Sequence, residues 1–143
     1  MTAIRAQIVA EIARRMALVP GINEVEVMPS TDPDVWPALH LFDDGQEPSE
    51  YGAEITRQNF APRIECYVEQ PGGAAAYALL NDIYSAVIAS LIDGTQLGGL
   101  VETIDEGRME IDVAPLASAP RLYFRLDLPI TFAARRGDPS LPA

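Results

Sequence analysis

Apolar residues recur at helical spacing near the start of the chain: Ile4, Ile8, Ile12 and Met16, widened by Val9 and Val19. That spacing predicts an amphipathic helix over residues 3–19. Gln7, Glu11 and Arg14 form its wet face, Thr2 is the expected N-cap, and Pro20-Gly21 stops it. The period then drops to two. Val25 and Val27 alternate with Glu24 and Glu26, the mark of a short half-exposed strand. Pro29 to Asp34 carries turn chemistry, and Ala38 to Phe42 reads as a second short strand. Asp43-Asp44-Gly45 opens a polar loop to about Glu50. Tyr51 to Gln58 reads as a third strand, with Ile55 as its one strong aliphatic.

Arg63 to Glu69 alternates cleanly, with Ile64, Cys66 and Val68 on one face. After Pro71-Gly72-Gly73 comes an apolar segment, Ala74 to Leu91, whose stripe is Tyr77, Leu80, Tyr84, Val87, Ile88 and Leu91. Leu79, Ile83 and Ile92 lie beside that stripe, so the helix needs cover on more than one side, from sheet and from a second helix or a neighbouring subunit. Its length would suit a membrane span, but Asp82 sits at its centre. An Asp there costs about 2.5–3.5 kcal/mol on insertion, so a buried helix is expected. Leu100 to Ile104 and Met109 to Val113 read as strands around a turn or bulge at Asp105-Glu106-Gly107. Leu122, Phe124, Leu126, Leu128, Ile130 and Phe132 alternate with polar residues and predict one long half-buried strand. Pro129 has no N–H to donate, which places it at an edge or a bulge. From Ala133 onward the chain is polar and proline-rich. The expectation is a single α+β domain over 1–133, two helices packed on one face of a mostly antiparallel β-sheet, and a flexible C-terminal tail over 134–143.

Composition narrows the function more than the fold. The chain has 143 residues, 48% hydrophobic and 22% charged, enough for a core without disulfides. Acids outnumber bases 21 to 10, a net charge of −11, and the bases are scattered arginines. A conventional nucleic-acid interface needs a basic face, so that class is disfavoured. Cys66 and His40 are each the one residue of their kind, which excludes an intrachain disulfide, a multi-cysteine zinc site and a histidine-rich metal site. Cys66 sits inside a strand pattern, which argues for a small buried residue rather than half of a Cys–His pair. No secretory leader is evident, because Arg14-Arg15 interrupt the first apolar stretch.

Motifs for chemistry are sparse. Gly98-Gly99 lacks the lysine and helix of a phosphate loop, and no nucleophile elbow is present. Carboxylates are the abundant ionisable groups. Asp43, Asp44 and Glu47 cluster in one loop, and Asp105, Glu106, Glu110 and Asp112 in another region, without the calcium-loop spacing. Glu110 and Asp112 share the outward side of a strand, the ordinary pattern of a wet face. Arg136-Gly137-Asp138 spells an integrin tripeptide, which in this context is a chance match. Trp36, flanked by Pro37 and a polar loop, either anchors that loop or meets a partner. Arg135 and Arg136 are suited to an acidic neighbour. The candidate partner-interface residues are therefore Trp36, Asp43, Asp44, Glu47, Tyr51, Arg135 and Arg136, with no catalytic, cofactor or metal residues.

The layout over roughly residues 1–133 resembles the tail terminator proteins of long-tailed bacteriophages and their prophage relatives. The resemblance rests on the opening helix from Ile4-Arg5-Ala6-Gln7-Ile8 to Pro20-Gly21-Ile22, and on Arg63-Ile64-Glu65-Cys66-Tyr67-Val68 leading into the apolar helix. Leu97-Gly98-Gly99-Leu100-Val101 and the closing strand Arg121-Leu122-Tyr123-Phe124-Arg125-Leu126 complete it. It implies a non-enzymatic, cofactor-free α+β subunit forming a ring, typically hexameric, at the end of the tail tube. Such a ring stops tube polymerisation and offers a surface to the head connector. The implied partners are further copies of the chain, the major tail tube protein and the connector proteins. DNA is non-specific cargo in the channel, and no membrane is involved. The implied location is the virion tail, and the bacterial host cytoplasm during assembly. Related tail-completion and neck proteins share the layout. Two other readings stay open: a small carboxylate-metal phosphoester hydrolase built on the acid clusters, and a soluble adaptor binding one host protein.

Overall fold

The computed structural model describes residues 1–143. In chain order the elements are α1 (Ile4–Met16), β1 (Glu24–Val27), β2 (Ala38–Phe42), β3 (Gln46–Tyr51), β4 (Ile55–Phe60) and β5 (Arg63–Tyr67). Then come α2 (Ala74–Leu91), α3 (Gln96–Gly99), β6 (Thr103–Ile104), β7 (Met109–Pro115), β8 (Pro120–Asp127), β9 (Ile130–Arg135) and β10 (Asp138–Pro142).

α1 buries the residues its spacing selects: Ile4, Ile8, Val9, Ile12 and Met16. Thr2 does not cap it. Ala3 holds the N-cap position, and Thr2 supplies only its carbonyl, which accepts from Gln7 Nε2. In α2 the buried stripe is Ala76, Leu80, Ile83, Val87 and Leu91, rotated from the expected one. Ile83 turns into the core while Tyr77 is 57% exposed. Tyrosine hydroxyls explain the rotation, because a phenol favours a wet boundary over a dry core. Tyr84 shows this directly: its ring meets Phe124 edge-on at 5.8 Å and its hydroxyl donates to Glu106. α2 is also long and apolar enough, by length and composition, to cross a membrane.

The strands form two five-stranded sheets. One runs β1-β2-β5-β8-β7 and the other β10-β9-β4-β3, with β6 also on β9. Only β1 and β2 pair in parallel. The class is therefore α+β and mostly antiparallel, but the single expected sheet is two. The two are linked because four chain segments, 38–51, 55–67, 103–115 and 120–135, each contribute a strand to both. Each segment bends at its crossing. The bends fall at Asp43-Asp44-Gly45, Ala61-Pro62, Asp105 to Arg108, and Leu128-Pro129.

Pro129 explains why the alternating run Leu122–Phe132 is two strands rather than one. It cannot donate to a ladder, so the run breaks there and β8 and β9 enter different sheets. Bonds through the bend come from neighbours: Leu128 N–H donates to Pro62, Asp105 N–H to the Pro129 carbonyl, and Gly107 N–H to the Asp127 carbonyl. The Asp127 N–H returns to the Arg108 carbonyl, so Gly107 and Arg108 together oppose Asp127 in a β-bulge.

Both sheets turn their apolar faces to the same core. Leu39, Leu41, Ile64, Cys66, Phe124 and Leu126 from one meet Phe60, Ile130 and Phe132 from the other, under α1 and α2. Arg15 fastens the two helices. Its guanidinium, 9% exposed, donates to Glu11, to the Ser90 carbonyl, to Asp93 and to the Thr95 hydroxyl. The Thr95 hydroxyl and N–H, followed by the Arg15 charge, hold the Asp93 carboxyl below its usual range.

Three further local differences concern the candidate site. The expected strand Tyr51–Gln58 is a hairpin, β3 and β4. The expected strand Leu100–Ile104 shrinks to β6 behind the short α3. Residues 134–143, expected as a tail, finish β9 and return along it as β10.

Candidate functional site

The bends and the hairpin tips decide where each candidate residue lies. Asp43 and Asp44 occupy the bend between β2 and β3, where arginines engage both. Arg5 donates to Asp43 at 2.9 Å and to Gln46 at 2.8 Å. Asp43 also accepts from the Gly45 N–H. Arg63 donates to Asp44 at 3.1 Å while its guanidinium lies 4.3 Å over the Phe42 ring. These two acids brace the bend through their arginine pairs. Glu47 lies apart from them, exposed on β3 opposite Asn59.

Trp36 is half-buried, with the Arg121 guanidinium 4.1 Å over its ring and its carbonyl accepting from Asn23. It anchors the 28–37 loop to β8. The second acid group is also dispersed. Glu106 accepts from Tyr84, Glu110 pairs with Arg108, and Asp112 accepts from the Val113 N–H. No group of three or more His, Cys, Asp or Glu side chains is arranged to hold a metal ion.

Arg135 and Arg136 come to the β3–β4 turn, whereas Tyr51 lies two strands from Arg135 and on the other face of the sheet. Tyr51 ends β3 opposite Thr56, and Arg135 lies opposite Ile55 on the neighbouring strand. The Arg136 N–H donates to the Glu54 carbonyl at 2.7 Å, which ties the β9–β10 turn to the β3–β4 turn. The two turns form one tip. Tyr51 is 79% exposed, and a cleft of about 430 Å³ at the tip is lined by Ala53, Glu54, Ile55, Arg135, Arg136 and Ala143. Six of the ten arginines are paired with carboxylates, and Arg121 is spent on Trp36. Arg135 and Arg136 have no carboxylate within 4.0 Å, a condition shared with Arg121 and Arg125, although Glu54 lines the same cleft and Asp138 lies opposite Arg135. Exposed tyrosine and arginine are residue types enriched at interface anchors.

A second cluster was not legible in the sequence. On the outer side of β1 and β2, His40 Nε2 lies 2.7 Å from Glu24 Oε2, and the imidazole is 3% exposed. Tyr67 meets that ring edge-on at 5.7 Å and stacks on Tyr123 at 5.3 Å. Burial, and then the neighbouring Glu65 carboxylate, push the Tyr67 phenol up. The 28–37 loop covers the cluster. Asp34 N–H donates to Glu24, and Asp32 accepts from the Ala117 N–H. Beside it a cleft of about 250 Å³ is lined by acids and their neighbours, among them Glu24, Glu26, Asp32, Asp34 and His40.

The cluster is not a Cys–His centre. β2 and β5 pair Leu39 with Cys66, so Cys66 faces the core while His40 faces outward. Burial alone pushes the Cys66 thiol up, which suppresses the thiolate a nucleophile requires. What could have revealed the His40–Glu24 pair was the parallel register of β1 on β2. The intervening loop of irregular chain gave no sign of it.

The open sheet edges are guarded. β1 carries Glu24 and Glu26, β7 carries Glu110 and Asp112, and β3 carries Glu47, Pro48 and Glu50 with a register shift. Edge charges, prolines and bulges discourage pairing with a further strand. Neither the models of known protein families nor the curated proteins contain a match to this chain.

Proposed function

We propose that this chain is a structural subunit of the bacteriophage tail-terminator kind, one that self-assembles as a ring on the end of a tail tube. In this role it ends tube polymerisation and offers its other surface to the head-tail connector, as part of the virion tail after assembly in the bacterial cytoplasm. The observation that carries the reading is the exposed tip where the β9–β10 turn is tied to the β3–β4 turn, with Tyr51 at the end of β3 and with Arg135 and Arg136 more than 4.0 Å from any carboxylate. Nothing within the chain uses it, and its composition suits a macromolecular contact.

Other features are consistent with a ring. The guarded edges direct association to side-chain contacts rather than strand addition. On α2, Tyr77 and Leu79 are exposed on opposite flanks of the buried stripe and leave apolar surface for a neighbour or for the tube. A net charge of −11 suits a wall past which DNA slides without adhering, since like charges repel. The engagement of Asp43 and Asp44 by arginines weakens the metal-hydrolase alternative.

Light scattering over a range of concentrations, followed by negative-stain imaging, tests the ring. Six copies of a 15.5 kDa chain give about 93 kDa, and ring-shaped particles of that mass are the expected result. Tube capping tests the terminator role itself. Purified tail tube protein polymerising to controlled lengths in the presence of this chain is the expected outcome, and uncontrolled growth overturns the reading.

A further inference from the structure

The core-facing side of the second sheet changes character toward one end. Phe60, Phe132 and Ala134 on that side are buried. The ladders set Thr56 opposite Ala134, Gln58 opposite Phe132 and Gln46 opposite Phe60, so three polar residues share the side with them. A strand packed on a core would carry apolar residues at those positions. Instead Gln46, Thr56 and Gln58 line a cleft of about 350 Å³ under the start of α1, together with Arg5, Phe132 and Arg135. Small-molecule pockets span roughly 300–1,000 Å³, so the cleft suits a small ligand.

The hydrogen-bonding groups define the ligand. Gln58 Oε1 is buried and accepts no hydrogen bond from the chain, and a buried acceptor calls for a donor. Arg5 gives Nε to Asp43 and Nη1 to Gln46 Oε1, which leaves Arg5 Nη2 and Gln46 Nε2 as donors. Arg135, at the end of β9, lines both this cleft and the one at the tip. No carboxylate lines this cleft in a chain with 21 acids, whereas Glu54 lines the cleft at the tip and several acids the one beside His40. Ala3, the N-cap of α1, also lines it, and neither a capping side chain nor an acid in the first turn offsets the helix dipole there. Nearby acids limit the positive excess. Asp43 offsets Arg5, and Asp138 stands opposite Arg135 with its carboxylate held by the Ser140 hydroxyl and N–H. The balance suits one negative charge rather than a polyanion.

We propose that this cleft binds a small hydroxycarboxylate, a monoanion of sugar-acid size. Its carboxylate lies against Arg5 Nη2 and Gln46 Nε2 at the start of α1, where charge-assisted hydrogen bonds and the helix dipole act together. Arg135 adds its charge at the rim. A ligand hydroxyl donates to Gln58 Oε1, which a bare carboxylate cannot do. The Thr56 hydroxyl meets a second, and the carbon chain lies along Phe132. Every group belongs to one copy of the chain, so the site is independent of ring formation.

Gluconate is the probe, with glucose as an uncharged polyol and hexanoate as a carboxylate without hydroxyls. Each is titrated at constant ionic strength and followed by NMR through the side-chain amide signals of Gln46 and Gln58. Gluconate should bind at millimolar concentration or below and shift both signals, and each control should bind about tenfold more weakly. Gln58→Leu puts an apolar side chain at a core-facing position. It should raise the urea midpoint and weaken gluconate about tenfold, because it trades a binding group for burial. Arg135→Gln should also weaken gluconate. That side chain is exposed and makes no hydrogen bond within the chain, so this variant keeps the test open if the first misfolds. Arg136→Gln, which touches only the cleft at the tip, should leave the affinity unchanged. Gluconate that fails to bind, or binds no more tightly than glucose or hexanoate, overturns the site. So does undiminished binding in folded Gln58→Leu or in Arg135→Gln, or a loss in Arg136→Gln equal to that in Arg135→Gln.

Discussion

Glu11 shows how one residue can carry a pH dependence. Hydrogen bonds from Arg14 and then Arg15 hold its carboxyl down at about 2, against an ordinary value of 4.5. A carboxyl with a lowered folded-state pKa binds protons more weakly in the native chain than in the unfolded one. Its stabilisation is complete above about 4.5 and is lost as the pH falls toward 2. Asp93, lowered by Thr95, and Asp138, lowered by Ser140, act with the same sign. Urea midpoints should therefore decline through that window. Glu11→Gln should cost about 1 kcal/mol at pH 7 and make the decline shallower. An unchanged slope in the variant would remove Glu11 from the account. At this scale the sequence was informative about burial and poor about pairing. The apolar positions of α1 could be read from their spacing, because burial follows periodicity. That Asp43 and Asp44 serve Arg5 and Arg63 could not, because those bonds join residues brought near only by the bend.

The strands are legible as alternation, but their ends are set by partners. Leu122 to Phe132 alternates without a fault, and nothing in that period says where one sheet yields to another. Pro129 was the available signal, read as an edge or bulge of one long strand, and it stands instead where β8 gives way to β9 between two sheets. The β9–β10 return was hidden because its residues are short, polar and proline-rich, with no apolar period to announce a strand. The bulge at Gly107 gives the element-scale prediction. A Cβ built there would stand 2.4 Å from the Asp127 carbonyl oxygen and 2.8 Å from Pro129 Cδ. Both obstacles are held by the chain's bend and neither can swing aside. Gly107→Ala should therefore destabilise by about 1–3 kcal/mol in urea unfolding, through crowding rather than lost contacts. A neutral substitution would show that the bend relaxes freely, and the link between the two sheets would be softer than its bonding suggests. The α2 stripe illustrates the same limit. Its apolar arc is so broad that composition permits several faces, and the two tyrosines decide which one turns inward.

For the whole molecule, net charge misleads unless it is divided. The total of −11 disfavours a conventional nucleic-acid face, yet it conceals two adjacent arginines, Arg135 and Arg136, with no carboxylate within 4.0 Å. The candidate residues Tyr51, Arg135 and Arg136 were nameable from the sequence, but the meeting of the Arg135–Arg136 turn with the β3–β4 turn was not, because it requires β9 beside β4. Salt is therefore a discriminating variable for association. Exposed guanidinium–carboxylate contacts are screened as the Debye length shortens, from about 14 Å at 50 mM salt to about 4 Å at 500 mM. Self-association through the tip should weaken about tenfold over that range, chiefly through slower encounter at the outset. Association through the exposed side of α2 would behave in the opposite sense. Apolar burial is not screened, and salt relieves the repulsion between two acidic chains. A mass that falls with salt therefore favours a contact through Arg135 and Arg136, whereas one that holds or rises favours an apolar contact on a flank of α2, through Tyr77 or Leu79. In the second case Tyr77→Ala with Leu79→Ala, rather than charge reversal at Arg135 and Arg136, should dissociate the assembly.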